Sequence, residues 1–416
     1  MRKLLVIFED HRHPQFFPAA LTRPVYLLRS GMTELWIPIK RAFPGYDIAF
    51  ESAHLFAPLV ARHTGAPVNK FEFSRYDRIT LFNGAVAPDK DFVGLVESCD
   101  FDTAFVRDNM VGAIVLAGAS ESSREYEQIE HELDKYVSFA RALPNSHEAS
   151  FRSYNYIWDL MTANPDNIGR DFDATLGTAS ASARAKLDSG VLVGGRAEDI
   201  FAHSEATIMS GAGLDSSSGP IYLDADSVIE PFALVKGPFY LGPGSRLAPG
   251  VFAGSTVGPM CRVGGELEET VLSAYVNKHH AGFIGHSYVG EWVNFGAMTT
   301  NSDLKNNYSS VRVTLGGETI DTREMKIGSF IGDHAKFGIG TLLTTGVTVG
   351  VCCNIFGGGL VSDKEVKSFS WGKTGAWERH DFDKAIATAR LAMGRRSREL
   401  SEDEVTNLRW VWDMVL

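Results

Sequence analysis

A six-residue lattice governs the chain from about Gly190 to Gly359. Leu223, Ile229, Val235, Leu241 and Leu247 are apolar at an unbroken spacing of six, and Ser227, Ala233, Phe239, Ser245 and Val251 each follow four residues later. After an interruption the lattice resumes with Ile331, Phe337, Leu343, Val349 and Ile355, accompanied by Ala335, Thr341, Val347, Cys353 and Gly359. Neither the 3.6-residue helical period nor the two-residue strand period produces this. A triangular solenoid does, each six-residue step making one flat face and one corner, with aliphatic side chains on the axis and small ones at the corners. One such turn cannot bury its own inner face, so the coils must stack as a parallel β-helix.

Before the lattice, strand-like and helix-like segments alternate, the signature of an α/β domain. Lys3 to Phe8, Arg78 to Phe82 and Ala113 to Leu116 read as buried strands. Ser123 to Leu143 reads as a charged helix stopped by Pro144, and Ser153 to Met161 as a shorter one. Asn164-Pro165-Asp166-Asn167 reads as a break. Near the end, Ser401 and Glu404 have capping-box spacing, and Val405, Leu408, Trp412 and Val415 form one apolar helical stripe. The expected domains are therefore residues 1–175 (α/β), 176–375 (β-helix) and 376–416 (helical).

Charge and cysteine usage exclude several function classes. The 416 residues carry 40 basic and 51 acidic side chains, a net charge of −11, which argues against nucleic acid as a partner. The apolar run at the N-terminus stops at Glu9-Asp10, too short for a signal peptide, and no stretch approaches a membrane span. Cys99, Cys261, Cys352 and Cys353 lack zinc-knuckle spacing and read as reduced thiols of a cytoplasmic protein. Strand alternation accounts for the adjacent Cys352-Cys353 pair.

The chemistry concentrates in the interruption. It runs from Asn277-Lys278-His279-His280 through Phe283, Gly285, Gly290, Asn294 and Gly296 to Asn307-Tyr308, then Ile331-Gly332-Asp333 and Gly338. This pattern resembles the acetyltransferase half of the bifunctional uridylyltransferase/acetyltransferase family that makes UDP-N-acetylglucosamine. The resemblance implies a left-handed hexapeptide-repeat β-helix, an exception to the usual right-handed crossover. It also implies a homotrimer with active sites between subunits. His280 matches the family's general base: an amine attacking a thioester must lose a proton, and imidazole accepts one near neutral pH. Asn307 and Tyr308 match residues that place the amine and the acetyl group. Asn294 and Phe283 match sugar-side positions, and Gly338, Ile339 and Gly357 fall where acetyl-CoA lies. His279, His286 and His334 invite a zinc reading that nothing else in the sequence supports.

The departures from that pattern fall on its phosphate-binding cations. The corner that carries arginine in the family reads Leu247-Ala248-Pro249-Gly250, and Glu268 stands in place of a lysine. Lys278, Lys305 and Arg312 are the nearby cations that could substitute.

The N-terminal part resembles a variant nucleotidyltransferase domain through Phe8-Glu9-Asp10, Phe17-Pro18, Thr22-Arg23-Pro24-Val25, Leu28-Arg29, Gly31 and Thr33. The phosphate-cradling glycine loop and the magnesium-holding aspartate are missing, and Leu81-Phe82-Asn83-Gly84-Ala85 stands where the latter would be. Arg12, Arg23 and Arg29 would then have to contact phosphate as bidentate forks. The expected function is acetyl transfer from acetyl-CoA to an amino-sugar phosphate, glucosamine-1-phosphate first among them. Mg²⁺-dependent uridylyl transfer would accompany it if the N-terminal domain is active. The alternative is a sugar-nucleotide-binding or scaffold protein that has lost its chemistry.

Overall fold

The computed structural model describes residues 1–127, 135–176 and 190–415. They form two compact units. The first comprises Met1–Phe16, Thr22–Leu28 and Glu34–Asn155; the second comprises Phe17–Leu21, Arg29–Thr33 and Tyr156–Leu416.

The first unit is built on a six-stranded sheet: β1 (Lys3–Phe8), β2 (Asp47–Phe50), β3 (Arg78–Asn83), β4 (Thr103–Arg107), β5 (Met110–Ala117) and β6 (Asn145–Glu148). Their spatial order is β2-β1-β3-β5-β4-β6. β1 runs parallel to both β2 and β3, while β5 is antiparallel to β3 and β4. The uninterrupted apolar run of β1 has a direct cause, because both faces of the sheet are covered. Leu5 and Ile7 pack into one apolar cluster and Leu4, Val6 and Phe8 into the other. Helices α1 (Trp36–Ala42), α2 (Ala57–Thr64), α3 (Lys90–Ser98), α4 (Glu121–Glu127) and α5 (Lys135–Ala142) complete the unit. The last two occupy the expected charged helix, whose middle falls outside the described residues.

The second unit begins with α6 (Ile157–Thr162) and α7 (Asn164–Leu176). Two expectations change here. The first helix starts at Ile157 rather than Ser153, with the Asp159 carboxylate accepting from the Tyr156 amide at 3.1 Å. The Asn164-Pro165 segment starts a helix instead of only ending one. Proline is tolerated in the first turn because the N–H it lacks would have had no intrahelical acceptor.

From Leu192 to Lys373 the chain winds into a parallel β-solenoid, most of whose strands belong to two sheets, one of nine strands and one of fourteen that ends in the antiparallel strand Ala376–Arg379. The lattice apolars all enter one continuous core: Leu223, Ile229, Val235, Leu241, Leu247, Ile331, Phe337, Leu343, Val349 and Ile355. Two companion positions differ from expectation, since Val251 and Gly359 are exposed. At Val251 the cause is a register shift between Leu247 and Gly250 around Pro249. The inward position moves to Phe252, five residues after Leu247, and Val251 turns outward.

Helices α8 (Phe382–Gly394) and α9 (Glu402–Asp413) follow a short hairpin, Ser370–Lys373 with Ala376–Arg379. The capping box forms as the sequence implies: Ser401 Oγ accepts from the Glu404 amide at 3.3 Å, and the Glu404 carboxylate accepts from the Ser401 amide at 2.9 Å. Phe382, Ala385, Ala389, Leu408 and Val411 pack against Cys352 and Phe369 of the solenoid. Cys353 points into the solenoid core while Cys352 faces the helices, and burial pushes both thiols up.

Coil-to-coil contact leaves no room at Gly258, where a Cβ would lie 1.5 Å from the Ser273 carbonyl oxygen of the next coil. Gly258→Ala should therefore destabilise the protein by about 3 kcal/mol, since the obstacle is backbone and not a movable side chain. A thermal melt superimposing on the parent's would show that the stack relaxes freely there.

Candidate functional site

His280 stands exposed at a corner of the solenoid, its ring edge-on to His279 with centroids 5.4 Å apart. The corner is fixed from beneath by Lys278. Its buried ammonium donates to the carbonyls of Gly264 (2.7 Å), His280 (3.1 Å) and Gly282 (2.6 Å), which uses all three of its donors. Burial lowers the Lys278 pKa to about 8. Lys278 is thus a strut, and its charge is not free for a ligand. Lys305 likewise donates to the Ser310 carbonyl.

Strand register decides what else shares the His280 corner. Asn277, Asn294, Lys336 and Asn354 are Cα partners on successive rungs. The residues three further along are His280, Ala297, Ile339 and Gly357. Backbone bonds from Met298 to Ala281 (2.8 Å) and from Gly340 to Ala297 (2.9 Å) carry the same alignment through the corner. His280 and the expected acetyl-CoA positions Gly338, Ile339 and Gly357 therefore line one edge, on rungs roughly 4.8 Å apart. Asn294 sits on the adjoining face, where its Oδ1 accepts from Asn277 Nδ2 at 2.8 Å. Phe283 begins the face beyond the corner, paired with Glu266.

Asn307 and Tyr308 occupy an exposed excursion between Asn301 and Ile327, and Asn307 Oδ1 accepts from the amide and hydroxyl of Ser309. Their described bonds are local. The neck of this excursion is closed by a bridge between Leu304 and Lys326 and by the Ile327 amide donating to the Asp303 carbonyl at 2.8 Å.

The neck is held by a charge network that the sequence reading missed. Buried His286 places Nδ1 2.7 Å from the Asp303 carboxylate and Nε2 3.4 Å from that of Glu269. Lys326 lies 3.2 Å from Glu268. Burial opposes charge on the imidazole, but the bonds to Asp303 and Glu269 outweigh it and lift its pKa to about 9. Glu268, Glu269 and His286 are close enough to suggest a cation site. A charged imidazole and the Lys326 ammonium already occupy it, so the donors do not fit a metal. The zinc reading fails on geometry as well, because His279, His286 and His334 sit at three different corners. One signal was available: Glu269, His286 and Asp303 are spaced by 17 residues, the length of one coil here.

The sign of the pH effect follows from the raised value. A histidine whose folded pKa is about 9 adds stability that is fully present below its unfolded value of roughly 6.5 and is lost as pH rises through 9. Asp303 and Glu269, both lowered, lose their contribution only as pH falls through the carboxylate range. The stability difference between the parent and His286→Asn should shrink between pH 6 and 10 by on the order of 3 kcal/mol. Urea titrations across that range that give a constant difference would remove the network from the account.

In the first unit, the ends of β1, β2 and β3 bring Glu9, Asp10, Glu51 and Asn83 to one edge of the sheet, where the connections diverge on either side of β1. Ligands of open α/β sheets bind at such a point. Arg12 forks onto Asp10 at 2.6–3.1 Å, and Asn83 Nδ2 donates to the same carboxylate at 2.8 Å. Glu9 is fully buried and its pKa raised, mainly by that burial. Glu51 accepts from Tyr126 (2.6 Å) and Tyr136 (2.7 Å). Mg²⁺ needs carboxylate oxygens free to coordinate; both oxygens of Asp10 are engaged, so Asp10 does not fit the ion, while the buried Glu9 Oε1 accepts no hydrogen bond. Arg23 is half-buried in this unit, with its carbonyl 3.4 Å from His13 Nε2. Arg29 belongs to the second unit, where its backbone amide donates to the Tyr288 hydroxyl at 2.9 Å and its Nη1 donates to the Met32 carbonyl. The two arginines are not brought together within either unit.

Residues 5–178 match the family described as sugar nucleotidyl transferase. A bifunctional sugar-1-phosphate nucleotidylyltransferase/acetyltransferase of Sulfurisphaera tokodaii is 33% identical over 97 residues, 23% of this chain and 24% of that protein. The bifunctional protein GlmU of Methanocaldococcus jannaschii is 26% identical over 129 residues, 31% of this chain and 29% of that protein. Its namesake in a Cyanothece species is 26% identical over 180 residues, 34% and 36% of the respective chains. The chain resembles the bifunctional nucleotidylyltransferase/acetyltransferases. The matches span between 24% and 36% of the length of these three relatives. Among the described residues, no helix is long and apolar enough to cross a membrane.

Proposed function

We propose that the chain is an acetyltransferase acting on an amino-sugar phosphate, with glucosamine-1-phosphate as the first candidate. The observation that carries this reading is the shared edge of His280, Ile339 and Gly357. It puts an accessible imidazole on the same corner as a glycine-rich, apolar seat. Acetyl-CoA, held along Gly338, Ile339 and Gly357, would supply the acetyl group as a thioester. His280 takes the proton from the attacking amine as the new C–N bond forms and the C–S bond breaks. The Lys278 strut keeps that corner in one position, which general-base catalysis requires. Asn294 addresses the sugar, with Phe283 at the far end of the corner.

Asn307 and Tyr308 complete the site from a neighbouring copy in this reading, and the assembly is a homotrimer. Its support is an exposed apolar row beside the His280 corner, including Met298, Ile339 (74% exposed), Leu342 and Leu360. Apolar patches of that extent are normally covered. For the first unit, the Asp10–Arg12–Asn83 lock favours binding of a nucleotide or sugar phosphate without metal-dependent uridylyl transfer.

His280→Ala should lower acetyl transfer by about 10²–10⁴-fold while leaving acetyl-CoA affinity and assembly unchanged. Transfer as fast as the parent's would remove His280 from the role of base. Parent protein that binds amino-sugar phosphates yet acetylates none of them would establish the scaffold alternative. Sedimentation should give three times the 45.5 kDa chain mass, and a monomer would overturn the inter-subunit site.

A further inference from the structure

A cleft of about 560 Å³ opens where the end of α8 meets the solenoid face carrying Asn277, Asn294 and Lys336. Its remaining polar lining is Arg395 and Arg396, the two residues that follow α8. Trp292 lies beside them, stacked on Tyr275 with ring centroids 4.0 Å apart and planes at 8°.

The charges in this cleft are unlike those elsewhere on the same helices. Arg390 pairs with Glu402 at 3.3 Å and Arg409 with Asp383 at 3.7 Å. Arg395 and Arg396 enter no ion pair among the described residues. A helix C-terminus tolerates cations, which accounts for two arginines there but not for the cations that meet them from the solenoid. Lys336 uses one of its three donors, on the Trp292 carbonyl at 2.5 Å. Burial lowers its pKa to about 8, with the Cys352 thiol and the Asp333 carboxylate acting in the opposite direction. Half-buried Arg262 is pushed down by burial and then by the charges of Arg396 and Arg246. Gathering like charges in a chain of net charge −11 is unfavourable unless an anion joins them.

We infer that this cleft holds the phosphate of the amino-sugar substrate, with Arg395, Arg396 and Lys336 as its cations. The inference rests on the reading of Asn294 as a sugar contact. It supplies the positive charge that the Leu247-Ala248-Pro249-Gly250 corner and Glu268 lack. Guanidinium forks and an ammonium match a phosphate dianion. The Asn277–Asn294 pair leaves one amide and one carbonyl for sugar hydroxyls. The cleft has the size of a small-ligand site. Asn277 is three residues from His280, so chain geometry keeps their Cα atoms within roughly 11 Å. That places cleft and base within reach of one sugar phosphate.

The test uses full-length protein and calorimetric titration with glucosamine-1-phosphate, glucosamine and inorganic phosphate. Arg395→Ala/Arg396→Ala is compared with Arg390→Ala, which removes a paired arginine of the same helix. Glucosamine-1-phosphate and phosphate should bind the parent and the Arg390 variant. The double variant should lose about 100-fold in affinity for both, the effect of two charge-assisted bonds. Its KM for glucosamine-1-phosphate should rise by a similar factor, while its melting curve matches the parent's. Parent protein that binds neither phosphate compound, or a double variant that binds them as tightly, overturns the inference. If the double variant acetylates with the parent's KM, the cleft inference falls and the acetyl-transfer reading stands. If phosphate binding depends on the arginine pair but nothing is acetylated, the cleft stands and the acetyl-transfer reading falls.

Discussion

Each coil of the solenoid exposes an apolar inner edge and unpaired backbone groups until another coil stacks on it, and this mutual dependence organises everything else. The stacking partner must lie in parallel register at strand spacing, so every side chain acquires a fixed neighbour above and below. Asn277 meets Asn294, and Asn294 meets Lys336. Tyr275 stacks on Trp292, and Trp292 lies parallel to His334. Residues far apart in sequence become a contiguous surface with no dedicated loop to gather them. The same constraint divides roles among corners. One presents His280, a second seats α8 and α9, and a third carries the His286 network.

The fold was legible because it writes itself at one short period. Leu223 to Leu247 and Ile331 to Ile355 announce the core directly, since an inward position is filled by an aliphatic residue on every turn. Val251 misled because a single register shift at Pro249 alters the phase, and composition gives no warning of it. The functional surface is written at the longer coil period instead. Glu269, His286 and Asp303 become neighbours only when the sequence is laid out in rows of 17. Arg395 and Arg396 escape both periods, because a helix beyond the solenoid brings them to Lys336. Lys278 shows the opposite failure. It looked available by its position, and only coordinates reveal that three carbonyls take all its donors.

The first unit shows a sheet edge whose charged groups are largely paired with one another. The strand ends still converge beside β1, as an α/β sheet requires for ligand binding. What they carry is a saturated carboxylate, a buried glutamate and two tyrosines held by a second glutamate. Removal of Arg12 would leave Asp10 buried without its main counter-charge, so this edge is fixed by pairing as much as by packing. From the sequence alone, Arg12 reads as a fork for phosphate and Asp10 as part of a motif; in the structure the fork is spent on Asp10.

The pinched neck at Leu304–Lys326 has a consequence for how such a chain can vary through evolution. A deletion of one residue within a coil would rotate every later inward side chain away from the axis. An excursion that leaves and re-enters at a closed neck does not shift the phase of the stack, so its length can change wherever it does not rest on the coils as Val311, Val313 and the Thr314 carbonyl do. Whole coils can likewise be gained or lost, because each rung offers the same edge to the next. Length in this architecture therefore changes in two currencies, complete turns along the axis and free insertions at a sealed neck. The segment bearing Asn307 and Tyr308 belongs to the second, so a change in its length leaves the phase of the His280 corner untouched.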